Sequence, residues 1–269
     1  MPTDDGTREG TFDRLVATEF ETLRRLGGEI VEFEHGWGSL NADLPLVWDA
    51  NFVAVDDPDA EAGAVAQFAD DLLGSRGLAH RRLYVCHTDR DANERLVGDL
   101  VARGGGWERS AETYMLHSRP PEKGPSAEGR EVDGEEILEA RRELAAEAAG
   151  DHVSDEAVRQ LLGHEENFTR GLDCVWFAAG DPPDGFCQLL DHGNGTGQVE
   201  HVGTMKRSRG RGLASSAITA AVTRSKERGD DLTYVVADAD DWPQRLYERL
   251  GFEPVGTLQS ATVLPPLPA

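Results

Sequence analysis

Gln198-Val-Glu-His-Val-Gly-Thr-Met-Lys-Arg-Ser-Arg-Gly-Arg-Gly-Leu-Ala214 is the stretch on which the reading of the fold turns. Its first part, to Met205, alternates like a strand, and an Ala/Ser-rich run from Gly212 to Glu227 predicts a helix. Between them lies Arg209-Gly-Arg-Gly-Leu-Ala214. Glycines let the backbone turn with positive φ and let a ligand approach without a Cβ in the way. A helix that begins here directs unpaired N–H groups and the positive end of its dipole at the turn. With Lys206, Arg207, Arg209 and Arg211 close together, the chemistry suits a pyrophosphate. A flexible basic loop is the other reading of such a turn. GxxxxGK[ST] is absent, and no GxGxxG opens a helix after a first strand.

Working outward, Gly134 to Ala149 reads as a helix, with Ile137, Leu144, Ala148 and the stem of Arg141 on one face. Ser154 is the expected N-cap of a second helix over Asp155 to Leu162. Strands are expected over Asp173 to Ala179 and Gly185 to Leu190, with Asn194-Gly195 turning the chain back into Gln198 to Met205. Downstream come a strand at Leu232 to Ala237, a short helix at Pro243 to Leu250 and a last strand within Val255 to Leu264. The order is ααβββαβαβ, an α/β fold in which helices flank a mixed central sheet. Residues 119–129 are rich in Pro, Gly and Ser and read as a linker. The expected domains are therefore 1–118 and 130–269.

The first domain reads as an incomplete echo of the second. A strand at Arg82 to His87, a helix at Ala92 to Ala102, Gly106-Trp107 and a strand at Ala111 to His117 repeat the later pattern. Upstream, Leu44 to Val55 would match the strand ending at Met205, and the helix Ala60 to Leu73 the one after it. Where the later half has its arginine-glycine turn, this half has Asp56-Asp-Pro-Asp59, which repels phosphate.

Arg209-x-x-Gly212-x-Ala214 resembles the acyl-coenzyme A signature of the GNAT acetyltransferase superfamily, and Leu246-Tyr-Glu-Arg-Leu-Gly-Phe252 is similar to that family's second signature. The resemblance covers residues 130–264 and implies a tandem GNAT-like chain whose first copy is degenerate. It implies acetyl-CoA as co-substrate and an N-acetyltransferase whose acceptor is a small-molecule amine or a peptide. Backbone groups of Val202, Gly203 and Thr204 would meet the pantetheine arm. Arg209, Gly210, Arg211, Gly212, Leu213 and Ala214 would hold the pyrophosphate, with Arg207 or Arg211 beside it. Tyr247 would be the general acid towards the leaving thiolate. A base is implied on the strand, where Glu200 and His201 titrate; side-chain alternation admits only one of them to the cleft, and Glu200 is favoured. Asp240 and Pro243 stand where the family often has Asn and Ala, which puts the contact expected of Asp240 in question. A non-catalytic acyl-CoA sensor is the alternative function.

Composition sets the remaining bounds. The chain has 269 residues and a net charge of −23, and of its 27 basic residues only Lys123, Lys206 and Lys226 are lysines. Such a field argues against nucleic-acid partners and fits a halophilic surface, or attraction of a basic acceptor. No run approaches the roughly 18 apolar residues of a membrane span, and Met1 to Gly10 is polar. A cytoplasmic monomer or homodimer is expected. Cys86, Cys174 and Cys187 are dispersed and read as reduced thiols; with histidines scattered as well, no metal is expected. Trp37, Trp48 and Trp176 either pack in cores or line an acceptor cleft.

Overall fold

Apolar residues at helical spacing begin early: Phe12, Leu15, Val16 and Phe20 are buried on one face of helix α1 (Asp5–Leu26). The computed structural model describes residues 5–150 and 154–264. Residues 1–4 of the polar opening stretch and 265–269 of the expected second domain lie outside the described residues. After α1 come β1 (Glu29–Phe33), β2 (Gly36–Leu40), β3 (Phe52–Val55), α2 (Ala62–Leu72), β4 (Arg81–Val85), α3 (Arg90–Ala102) and β5 (Trp107–His117). Then follow β6 (Gly129–Val132), α4 (Leu138–Ala149), α5 (Asp155–Gly171), β7 (Asp173–Ala179), β8 (Gly185–Asp191), β9 (Thr196–Thr204), α6 (Leu213–Arg228), β10 (Leu232–Asp238), α7 (Pro243–Arg249) and β11 (Phe252–Val263).

The expected elements are present, and four more join them. Helix α1 and the hairpin β1–β2 precede the anticipated elements, and β6 lies at the end of the expected linker. Strand β6 escapes a pattern search because Val132 alone of its four residues is buried. Several boundaries moved as well: α4 begins at Leu138 and not at Gly134, β5 at Trp107 and not at Ala111, and β11 at Phe252 and not at Val255. The predicted strand Leu44 to Val55 is a loop, a short 3-10 turn and then β3, and α5 runs on to Gly171.

The chain divides into two compact units. Among the described residues, the first holds 5–113, 238–240 and 255–264, and the second 114–237 and 241–254. The latter part of β11 therefore returns to the first unit, where Ser260 to Val263 pair antiparallel with β4. In that unit β3 and β4 run parallel from Val53↔Leu83 to Val55↔Val85, and Cys86 N donates to Val55 O beyond them (2.8 Å). Val53, Val55, Leu83 and Val85 meet Val65, Ala69 and Leu72 of α2 and Leu96, Val97 and Leu100 of α3 in one apolar core. Trp37 is buried, and Trp48 stacks on His80.

A polar cluster crosses this unit's sheet. Arg82 donates to Thr262 Oγ1 (2.9 Å), Tyr84 Oη (3.1 Å) and Glu112 Oε1 (3.2 Å), and Tyr84 Oη donates to Asp49 (2.6 Å). Burial, which outweighs the attraction of Arg82 and is reinforced by Asp49 and Asp238, pushes the Glu112 carboxyl up to about 7. The folded state thus binds this proton more tightly than the unfolded chain, so stability falls as pH rises from the unfolded value near 4.5 to about 7. Thermal melts of Glu112→Gln between pH 4 and 8 should show a flatter slope than the parent chain. An unchanged slope would mean that folding does not raise the affinity of Glu112 for its proton.

In the second unit β6, β7, β8 and β9 are successive antiparallel neighbours, and β10 joins β9 in parallel. Helix α6 lies directly on this sheet. A Cβ on Gly185 would sit 2.3 Å from Leu213 Cβ, and one on Gly129 2.3 Å from Ser216 O, so glycine sets that close approach. Phe177, Cys187, Leu189, Val199, Val235, Ala217, Ile218, Tyr247 and Phe252 form the core on this face. Between α4 and α5, Arg141 and Glu165 make a buried pair (2.9 Å), with Arg141 over the ring of buried Trp176 (4.8 Å).

Candidate active site

Strand β9 is longer than its ladder with β10. The pairing runs Leu232↔Thr196, Thr233↔Gly197 and Tyr234↔Gln198, and no further pair follows. Burial changes at the same place: Thr196 to Val199 are buried, whereas Glu200, His201 and Val202 are half-buried. Residues 199–204 therefore keep β8 on one side and have no β10 partner on the other. Such a crevice at the carboxyl end of a parallel pair is where α/β sheets bind ligands.

The overhang carries a bulge. Gly203 pairs with Phe186 and Glu200 with Gln188, so β9 spends one residue more than β8 between these points. His201 has φ 49°, the only positive φ outside glycine among the described residues. The bulge breaks the alternation from which one of Glu200 and His201 was expected to face away. Glu200 lies opposite Gln188 on the sheet, and His201 Nδ1 is 3.0 Å from Gln188 Oε1, so both attend the same cross-strand residue. Gly203 is needed where it stands, since a Cβ there would meet Phe186 Cζ at 2.7 Å.

After Thr204 the chain makes a 3-10 turn, Lys206–Ser208, and reaches Gly210 (φ 78°) and Gly212 (φ 76°) before α6. The N–H groups of Gly210, Arg211, Gly212, Leu213, Ala214 and Ser215 find no acceptor among the described residues; the first amide of α6 to do so is Ser216, on Gly212 O (3.1 Å). A cradle of this kind fits an anion without any side chain. In the corresponding turn of the first unit two amides bond to the turn's own carboxylate residue: Asp59 N to Asp57 Oδ1 (2.9 Å) and Ala60 N to Asp57 O (3.2 Å). His35, hydrogen-bonded to Asp57 (2.7 Å), holds that carboxyl below its usual value.

The basic side chains are more committed than their clustering suggests. Arg207 forks onto buried Asp184 (2.6 and 3.0 Å), which also accepts from Ser208 Oγ (2.5 Å). These bonds hold the Asp184 carboxyl below its ordinary range. Arg207 also meets Glu139, Lys206 Nζ meets Glu147 (3.2 Å), and Arg209 pairs with the same Glu147. Arg211 makes no ion pair among the described residues, and its guanidinium donates to Ser208 Oγ (3.2 Å). Arg207 thus braces the turn from within, and Arg211 is the cation left to face an anion.

Tyr247, on α7, is buried against Phe252, and its hydroxyl makes no hydrogen bond among the described residues. Burial first, then Glu200 and Cys187, raises its phenol above the ordinary value. Glu200 Oε1 accepts from Gln198 Nε2 (2.6 Å), and Gln198 Oε1 accepts from Tyr234 Oη (2.8 Å). Val202 and Thr204 are half-buried on the overhang. Asp240 lies exposed in the turn before α7, its N–H on Asp238 Oδ1 (2.8 Å), and is grouped with the first unit. Gln188, Gln198, Asp184 and the α4 glutamates were not anticipated at the site. No group of three or more His, Cys, Asp or Glu among the described residues is placed to hold a metal ion, and no helix there is long and apolar enough to cross a membrane. The three cysteines are free.

Known proteins resemble this chain in sequence over part of its length and in fold over nearly all of it. A mycothiol acetyltransferase from Corynebacterium aurimucosum is 34% identical over 109 residues, 32% of this chain; the chain spans about a third (35%) of that relative's length. A solved GCN5-related N-acetyltransferase from Kribbella flavida superposes with a TM-score of 0.62 at 20% identity, over 93% of this chain and 95% of that one. A tandem GNAT protein from the clavulanic acid biosynthesis pathway gives 0.57 at 15% identity, over 97% and 95%. At such identities the structures show the fold alone, and they show it over nearly the whole chain. Residues 138–252, a span that holds β9, the turn before α6 and Tyr247, match the acetyltransferase (GNAT) family.

Proposed function

We propose that the C-terminal half transfers an acetyl group from acetyl-CoA to a primary amine, the amine attacking the thioester directly. The observation that carries this reading is the row of unpaired amides from Gly210 to Ser215 at the end of an overhanging strand. Acetyl-CoA supplies the activated acyl group. The amides of Gly210 to Ala214 hold its pyrophosphate, with Arg211 as the nearby cation and Arg207 fixing the turn through Asp184. The open edge of Val202, Gly203 and Thr204 offers backbone groups to the pantetheine arm, and the Val202 N–H is the donor for the developing oxyanion.

An alkylammonium has a pKa of roughly 10, so the acceptor must lose a proton before it attacks. Glu200 takes that proton, directly or through a water. Tyr247 keeps its own proton because its pKa is raised. A thiol ionises near about 8.5, so this phenol is the weaker acid and serves as hydrogen-bond donor to the departing sulfur.

The first half lacks the overhang and carries Asp56, Asp57 and Asp59 before its helix, which supports one acetyl-CoA site per chain. The charge of −23 supports a surface adapted to high salt. Coenzyme A release should be followed against small primary amines, polyamines and peptides at low and molar salt, with Tyr247→Phe alongside. An amine-dependent rate that drops about 10- to 100-fold in that variant, with acetyl-CoA binding retained, is the expected result. Tight acetyl-CoA binding without turnover of any amine would instead mark a non-catalytic sensor.

A further inference from the structure

The polarity of one hydrogen-bond chain decides which nitrogen of His201 carries a hydrogen. Thr169, on α5, donates its hydroxyl to Glu165 O one turn back (3.2 Å). Its Oγ1 is then the acceptor for Gln188 Nε2 (3.1 Å). Gln188 is fully buried on β8, and with its amide nitrogen committed it turns Oε1 towards His201 Nδ1 (3.0 Å). An amide oxygen only accepts, so Nδ1 is the protonated nitrogen and Nε2 of the neutral ring carries a bare lone pair. Burial, together with nearby His164 and Arg141, pushes His201 down to about 3, so the ring is neutral at working pH. Nε2 has no partner among the described residues and is not among the sealed polar atoms.

The bulge brings the His201 ring to Gln188, the residue that Glu200 faces across the sheet. Both residues attend Gln188, and the ring of His201 is braced by Trp176 (5.9 Å). A neutral primary amine has one lone pair and two N–H groups. With one N–H on Glu200 and the other on His201 Nε2, its own lone pair is left to point at the thioester carbon. A secondary amine has a single N–H and cannot satisfy both acceptors.

We propose that His201 Nε2 accepts a hydrogen bond from the acceptor amine and selects primary over secondary amines, with Gln188 and Thr169 as positioning residues that fix its tautomer. This rests on the acyltransferase reading above. It identifies an acceptor contact and a tautomer relay, while Glu200 remains the base.

Two measurements test it. Nitrogen-15 long-range correlation spectra of the full chain at pH 7 should show His201 as the Nδ1–H tautomer, and Gln188→Met should shift it towards Nε2–H. Then kcat/KM is compared for the most active primary amine of the panel and its N-methyl derivative. His201→Gly keeps the positive φ without an acceptor, and should lower kcat/KM for the primary amine by about 10- to 100-fold while changing the N-methyl amine by less than about 3-fold. His201→Asn, which tolerates the same backbone and returns an oxygen acceptor, should restore part of the preference. An Nε2–H tautomer in the parent protein, or an unchanged preference in His201→Gly, would overturn the assignment alone. Failure of every amine to be acetylated would take the acyltransferase reading down, and this assignment with it.

Discussion

Gly212→Val should abolish measurable coenzyme A binding, a loss of at least about 100-fold, while Gly210→Ala loses only a few-fold. Both glycines have φ near +77°, yet their surroundings differ: a Cβ at Gly210 meets nothing within 4 Å, whereas one at Gly212 would lie 2.5 Å from Ser126 Oγ. Ser126 is itself tied to the turn, donating to Arg211 O (2.8 Å). A β-branched residue at Gly212 therefore faces the left-handed penalty of about 1–2 kcal/mol and a clash that the turn must relieve by moving. Moving the turn misaims the amides on either side of it. Hydrogen bonds to a charged group are worth about 1.5–3 kcal/mol each, and two of them account for a 100-fold change. Calorimetry with coenzyme A checks this, and pantetheine, which has no pyrophosphate, is the control whose affinity should hold. Unaltered coenzyme A affinity in Gly212→Val would remove the cradle from the mechanism.

The second large effect is expected at Glu200. Replacing it with Gln should lower kcat/KM for an amine by about 10²–10⁴-fold, the usual contribution of a positioned base. Two features sharpen the case. Gln198 Nε2 donates to Glu200 Oε1 (2.6 Å), so the carboxylate is held in place before any ligand arrives. Gln198 is also the last residue of β9 with a partner on β10, so the base is anchored at the vertex where the strands part. Raising pH should partly rescue Glu200→Gln, because more of the amine then arrives already deprotonated. A variant as fast as the parent at neutral pH would show that another group takes the proton.

Much of the second unit could be read from residue order. The glycines of the turn, the alanine-rich start of α6 and the Tyr247–Gly251–Phe252 spacing are local signals, each decided within a few positions. What escaped notice depends on long-range contacts. Nothing in Val199-Glu-His-Val-Gly203 marks His201 for positive φ, since only the register against Phe186 and Gln188 creates the bulge. The alternation rule failed there for that reason. The basic patch was read as a free anion site because Lys206, Arg207 and Arg209 are adjacent. Their partners Glu139, Glu147 and Asp184 come from α4 and the loop before β8, far earlier in the chain. In the first unit, α1 did carry its apolar stripe, and a systematic search for helical spacing would have found it.

The two parallel pairs, β3 with β4 and β9 with β10, show why the halves are not interchangeable. Each has three paired rungs. The difference is that β3 stops at Val55, its last rung, whereas β9 continues for six residues past Gln198, from Val199 to Thr204. Capacity for a ligand lies in that surplus length and in the turn it leads to. Point substitutions alter side chains but cannot lengthen a strand. Removing Asp56, Asp57 and Asp59 from the first half would therefore relieve repulsion without creating a site, and only inserted sequence could give it one.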